Sequence, residues 1–275
     1  MLEVFQFEFM RNAVLAGIMA SAICGVIGTL VVVNRIVFLA GGIAHAAYGG
    51  IGLAFFLGLP YLVGIFGFSI LASMIMAAIT LKEKNRADTF IGVVWAVGMA
   101  LGVILLDIKE GYNVDLMSYL FGSILTVPSS ELYVMACLSL FIVIIVGFYY
   151  HDFLAMSYDQ EFAQLRGISV KPLYFLLIGM IALSVVMVIK VVGLILIIAL
   201  LTIPPFIAER YTNSLLQMML FSALLSIIFS LVGLWLSYNL NLTSGATIIM
   251  TAAGVFFLSF LIDHIRSRFK RHTGE

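Results

Sequence analysis

Nine apolar stretches, each near the about 20 residues that an α-helix needs to cross a bilayer, follow one another along this chain with little between them. They fall near residues 12–33, 36–58, 61–81, 89–107, 130–150, 172–189, 191–207, 214–237 and 244–263. The boundary around Lys190, in "VIKVVG", carries no clear turn signal, so eight crossings is the alternative count. With 63% hydrophobic and 10% charged residues and a mean hydropathy of +1.19, the expected class is an all-α polytopic membrane protein. The short loops leave no room for a second soluble domain, so residues 1–275 are read as a single transmembrane domain.

The positions of the basic residues set the orientation, because arginine and lysine in short loops favour the cytoplasmic side. With nine crossings and the carboxyl terminus inside, Arg35, Lys82, Lys84, Arg86, Arg166, Lys171, Arg210, Arg266, Arg268, Lys270 and Arg271 lie inside. Arg11, Lys109 and Lys190 lie outside, and the amino terminus is outside with them. Formal net charge is zero, so nucleic acid is not an expected partner. The first residues, "MLEVFQFEFMRN", lack the pattern of a secretory signal, and no processing is expected. Cys24 and Cys137 lie in apolar segments and indicate no disulfide framework.

Two connections are longer than the rest: residues 108–129 on the outer side, containing "LMSYLFGSIL", and residues 151–171 on the inner side. In the inner one, Ser157 and Gln160 match a capping box that would start a helix of two to three turns, and Gly167 would end it. That helix carries Asp159 and Glu161 in its first turn, Ala163 within it, and Phe162 and Leu165 three apart on one side. It fits either a surface helix at the lipid headgroups or a docking element for a cytoplasmic partner with Phe162 as anchor. The chain has no Gly-x-x-x-x-Gly-Lys-Ser/Thr phosphate loop, so any ATP that drives it is hydrolysed by another chain.

Inside the second stretch, "GGIAHAAYGG" places His45 about 15 Å from Arg35 along a helix, near the bilayer midplane and too deep to reach water by bending. Its glycine and alanine neighbours allow close helix approach. One reading is a packed helix whose imidazole bonds a neighbour. The other is an aqueous path where a neutral imidazole meets a metal ion, or where it relays protons in a secondary transporter. Pro204 and Pro205 lie near the inner end of "GLILIIALLTIPPFIAER", where the helix must bend or stop; a simple helix end and a hinge are both open. Thr243 or Ser244 is placed to cap the last crossing. Met74, Met76, Met180 and Met187 have the spacing of packing residues.

Six blocks in order, "RNAVLAGIMASAICGVIGTLVVVNR", "GGIAHAAYGGIGLA", "MSYLFGSIL", "DQEFAQLRGI", "VVGLILIIALLTIPPFIAER" and "TSGATIIM", resemble the membrane permease subunits of bacterial and archaeal ABC importers for zinc, manganese and iron. The resemblance covers nearly the whole chain. It implies a multi-pass protein of the cytoplasmic membrane, in contact with lipid and paired with a second copy of itself. It further implies a cytoplasmic ATPase dimer that uses ATP and magnesium, and an extracytoplasmic metal-binding protein. The permease itself is then not an enzyme. Glu161, Phe162, Ala163 and Gly167 match the family's coupling helix. His45 matches a histidine that, in manganese and zinc members, belongs to a metal site in the pathway. Those members usually carry an aspartate one turn earlier; Gly41 stands there in this sequence, so one carboxylate of the family's pattern is absent.

Overall fold

The structure, a computed structural model, describes residues 7–83, 86–109, 122, 124 and 127–272. Eleven helices are found among them. They are α1 (Glu8–Val33), α2 (Val37–Leu57), α3 (Tyr61–Lys82), α4 (Ala87–Ile108), α5 (Ser129–Phe148), α6 (Tyr150–Tyr158), α7 (Gln160–Leu165), α8 (Val170–Val192), α9 (Leu194–Glu209), α10 (Leu215–Leu240) and α11 (Ser244–His272). Eight of the described helices are long and apolar enough to cross a membrane. The ninth apolar one, α9, has 16 residues, or about 24 Å of helix against a hydrocarbon core of roughly 30 Å.

The two counts considered for the sequence therefore meet at one place. Separation of α8 from α9 is made by Gly193, whose φ of 84° and ψ of 165° lie outside the reach of ordinary L-residues. A Cβ on Gly122, itself at φ +67°, would stand 2.3 Å from the Gly193 nitrogen, so the two glycines meet backbone to backbone. Ile124, buried, reaches Gly17 of α1. The remainder of "LMSYLFGSIL" lies outside the described residues.

The ends of the bundle segregate as alternating crossings require. At one end Asn34 Nδ2 donates to Ser157 Oγ at 2.9 Å, and the Leu216 N–H donates to the Tyr150 hydroxyl at 3.1 Å. This gathers the α1–α2 turn, the α6–α7 region and the start of α10. At the other end Asn12 Nδ2 donates to the Val127 carbonyl and to Ser129 Oγ, both at 3.2 Å, while Ser129 Oγ donates to Glu8 Oε1 at 3.0 Å. Lys109 Nζ donates to the Phe55 carbonyl at that same end.

Small residues set the helix spacing. Gly98 and Gly102, a Gly-x-x-x-Gly pair on α4, lie against Ala46, Tyr48 and Gly52 of α2; a Cβ on Gly52 would be 2.5 Å from the Gly102 carbonyl oxygen. Gly50 of α2 meets Gly64 of α3, and Gly25 of α1 meets Ala223 of α10, equally closely. Helix α2 is thus buried between its neighbours, and much of the glycine and alanine around His45 is accounted for by this packing. Met76, Met180 and Met187 are buried in the core, as their spacing predicts, and Cys24 is buried whereas Cys137 is exposed.

Several expectations are corrected. Helix α9 does not stop at Pro204–Pro205 but runs on to Glu209, which removes the simple helix end. The two prolines supply no N–H to the carbonyls of Leu200 and Leu201. The Leu201 oxygen instead lies against Gly28, 2.6 Å from where its Cβ would be. The inner connection holds a nine-residue helix, α6, not expected from the sequence; it forms because Phe153 and Met156 are buried beneath it. The last helix extends past residue 263 to His272, and Thr243 stands before its first turn, its carbonyl accepting the Thr247 N–H at 3.1 Å.

Candidate functional site

Helix α2 presents Phe38, Gly41 and His45 at intervals of three and four residues, on one side. His45 lies about 12 Å from the start of a helix about 31 Å long. The imidazole is half-buried, and its Nδ1 lies 2.9 Å from the Gly41 carbonyl oxygen. A carbonyl only accepts, so Nδ1 carries the proton and, in the neutral ring, Nε2 keeps its lone pair. That is the arrangement of metal-binding histidines, in which one nitrogen donates to a carbonyl and the other is free for the cation. No described residue makes a hydrogen bond to Nε2.

The ring does not stand alone. Trp95 of α4 lies against it, with centroids 4.0 Å apart and planes 34° apart. Trp95 is itself held: its Nε1–H donates to Met99 Sδ at 3.0 Å, and Phe38 lies 6.0 Å away, centroid to centroid. At Gly41 there is space. A Cβ there would meet only the end of Ile198, from α9, at 3.7 Å, an ordinary contact. The missing carboxylate is therefore not excluded by crowding at its first carbon. No group of three or more His, Cys, Asp or Glu side chains able to hold a metal occurs among the described residues.

Trp95 and Met99 were not singled out from sequence. The signal that points to them is Gly98-x-x-x-Gly102, since residues 95, 98, 99 and 102 share a helix face and that face meets Ala46, the neighbour of His45.

At the basic end, α7 is built by local rules. Asp159, not Ser157, is its cap: the Asp159 carboxylate accepts the N–H groups of Glu161 at 2.9 Å and Phe162 at 3.0 Å. Ser157 is taken up by Asn34. The helix has six residues, shorter than expected. Gly167, at φ +83°, closes it, with its N–H on the Gln164 carbonyl and the Ile168 N–H on that of Ala163. Ala163 is the residue that seats α7, fully buried, whereas Phe162 is 51% and Leu165 88% exposed. Arg166 lies over the Phe162 ring, 5.4 Å from its centroid. Phe162 is thus an exposed aromatic on a helix capped by Asp159 and seated through Ala163.

Pro204 and Pro205 are buried within α9, Pro205 against Gly28, and lie far along the helix from Ile198 at Gly41. The structure thus joins Gly41, His45 and α9 in one region and holds the α7 residues apart, at the basic end.

The ABC 3 transport family matches residues 6–263. A membrane protein of Synechocystis sp., slr2045, is 48% identical over 259 residues, covering 94% of this chain and 92% of the relative. The manganese import system permease protein ScaB of Streptococcus parasanguinis is 33% identical over 257 residues, covering 94% and 91%. Among solved structures, PsaBC from Streptococcus pneumoniae in complex with Fab superposes with a TM-score of 0.84 at 30% identity, over 94% of this chain and 92% of that one. This chain, a bundle of membrane-length helices with a half-buried histidine and an exposed capped helix, belongs to the ABC 3 transport family as a permease of the metal-importer type.

Proposed function

We propose that this protein is the permease subunit of an ATP-driven importer of divalent transition metal ions, with manganese as the first cargo to test. The observation that carries the reading is the near-full-length likeness to a permease named for manganese import. It is supported by His45, whose tautomer leaves Nε2 free for a cation. Zinc and iron are the competing cargoes. Neutral imidazole binds all three, and affinity alone favours zinc over manganese, so the extracytoplasmic binding protein supplies much of the selection.

Two copies of the chain flank the path, in the cytoplasmic membrane of a bacterium or archaeon, with the basic end inside. Below them an ATPase dimer with ATP and magnesium receives α7 through Phe162 and Leu165, with Asp159 and Glu161 fixing its first turn. Above them the binding protein delivers metal. ATP-driven closure of that dimer rocks the pair between outward and inward states, with Pro204–Pro205 as the place where α9 bends. A single imidazole suits a conduit, because a site that holds too tightly cannot release. A proton-coupled carrier relaying through His45 is disfavoured by the family match, and it gives α7 no purpose.

The test is cellular manganese, zinc and iron, measured by elemental mass spectrometry in cells carrying the complete importer with wild-type permease, His45→Ala or Phe162→Ala. One metal should rise with the wild type and not with His45→Ala. Phe162→Ala should assemble but lose about tenfold or more of uptake, since aromatic anchors of this kind contribute about 2 kcal/mol. Uptake unaffected in His45→Ala would end the pathway role of the histidine; uptake unaffected in Phe162→Ala would end the docking role of α7.

A further inference from the structure

Holding an imidazole in one orientation takes more than one contact. The Nδ1–Gly41 bond comes from the ring's own helix and leaves the plane of the ring free to rock about it. The second constraint comes from α4. The Trp95 indole covers the ring at 4.0 Å between centroids, and it is prevented from turning by the Nε1–H···Sδ bond to Met99 and by Phe38 beside it. The spacing that permits this contact is set nearby, where a Cβ on Gly98 would lie 2.8 Å from the Ala46 Cα.

We infer that Trp95 is a positioning residue for the cation: its indole fixes the His45 ring so that Nε2 is presented to the path, and its π face stabilises the imidazole while it carries the positive charge of a bound metal. The inference rests on the pathway reading of His45. Its chemistry is general, since indole has the most favourable face of the aromatic side chains for a cation. Phenylalanine at the same place keeps part of the stacking and the cation–π attraction but loses the hydrogen bond to Met99. Met99 acts on the histidine only through Trp95.

The position also provides a probe. The chain has two tryptophans, and the other, Trp235, is 48% exposed on the outside of α10, away from His45. Trp235→Phe therefore leaves Trp95 as the chain's sole indole emitter. In full-length Trp235→Phe permease in lipid nanodiscs, manganese(II) chloride, whose ion is paramagnetic, should quench Trp95 saturably, and His45→Ala in the same background should abolish the saturable part. In the complete importer, Trp95→Ala should raise the KM for manganese by about tenfold, with little change in kcat. Trp95→Phe should recover most of that loss.

The two readings fail differently. If His45→Ala imports metal like wild type, the pathway reading falls and this inference with it. If His45→Ala abolishes import while manganese leaves Trp95 emission unchanged, or Trp95→Ala keeps the wild-type KM, the histidine stands and Trp95 is overturned as its positioning residue. Should Trp95→Ala not assemble, the fluorescence titration in the Trp235→Phe background still decides: saturable quenching that His45→Ala abolishes supports the role, and its absence overturns it.

Discussion

Replacing Gly52 by alanine tests whether close approach of α2 and α4 builds the site. The added Cβ would lie 2.5 Å from the Gly102 carbonyl oxygen and 2.7 Å from the Gly102 Cα. Both are backbone atoms, with no side chain able to swing away. Restoring an ordinary contact requires the helices to part by roughly 1 Å. Overpacking of this kind costs about 1–3 kcal/mol, and the upper end applies because backbone opposes backbone. For a chain of this size that lowers Tm by roughly 4–8 °C. The controls are Gly67→Ala and Gly92→Ala, where the new Cβ meets nothing within 4 Å and the helix gains up to about 1 kcal/mol of propensity. The sign of the effect should therefore reverse between Gly52 and the controls. Thermal denaturation of the detergent-solubilised protein, followed by size-exclusion of a fluorescent fusion, reads it directly. Metal uptake should fall in Gly52→Ala, because Trp95 retreats from His45 with α4. A Gly52→Ala protein as stable as Gly92→Ala would refute the idea that these glycines exist to seat α4.

Asp159→Ala removes the carboxylate that accepts two N–H groups at the start of α7; the loss of about 1 kcal/mol should fray that helix and lower metal-stimulated ATP hydrolysis without changing the Tm of the bundle, and unchanged ATPase stimulation would show that the cap is dispensable. Gly122→Ala forces a side chain into a left-handed conformation with its Cβ 2.3 Å from the Gly193 nitrogen; hydrogen exchange should rise at residues 192–194, and exchange like wild type there would remove the outer connection as a brace for the α8–α9 break.

The crossings were legible because hydrophobic length is read one residue at a time. The stretch at 61–81 became α3, Tyr61–Lys82, and that at 36–58 became α2, Val37–Leu57. What stayed hidden depended on partners distant in sequence. Gly193 separates α8 from α9, yet a lone glycine in an apolar run is common in membrane helices and marks a break only when its conformation is known. Ser157 met the rule for a cap as well as Asp159 does, and Asn34, 123 residues away, decides the matter by binding the serine hydroxyl. His45 stood out as an ionisable group in an apolar helix, whereas Trp95 looked like any membrane tryptophan until packing set it on the imidazole. The glycines around His45 were ambiguous for the same reason: Gly50 and Gly52 face other backbones and Gly49 meets the Phe68 ring and the Gly98 carbonyl, whereas Gly41 faces space bounded by Ile198.

That last difference gives α9 its importance. At its amino-terminal end Gly193 sits against Gly122; about one and a half turns on, Ile198 reaches Gly41, beside the carbonyl that holds His45; further on, the Leu201 carbonyl and Pro205 lie against Gly28 of α1; at its carboxyl-terminal end Arg210 lies over the rings of Phe206 and Phe260. The helix is short, and its two prolines remove the hydrogen bonds that would stiffen the turn after Leu200. Bending is therefore cheapest between the part that reaches Gly41 and the part anchored by Arg210. A glycine at residue 41 lets Ile198 approach α2 without meeting a side chain, so a displacement of α9 changes the space beside His45 before it disturbs the histidine itself. Under the proposed function a carboxylate at that position would hold the cation more tightly, and it would also stand in the way of Ile198. On the proposed reading of His45, the glycine at residue 41 both leaves α9 room beside the histidine and withholds a carboxylate from the cation.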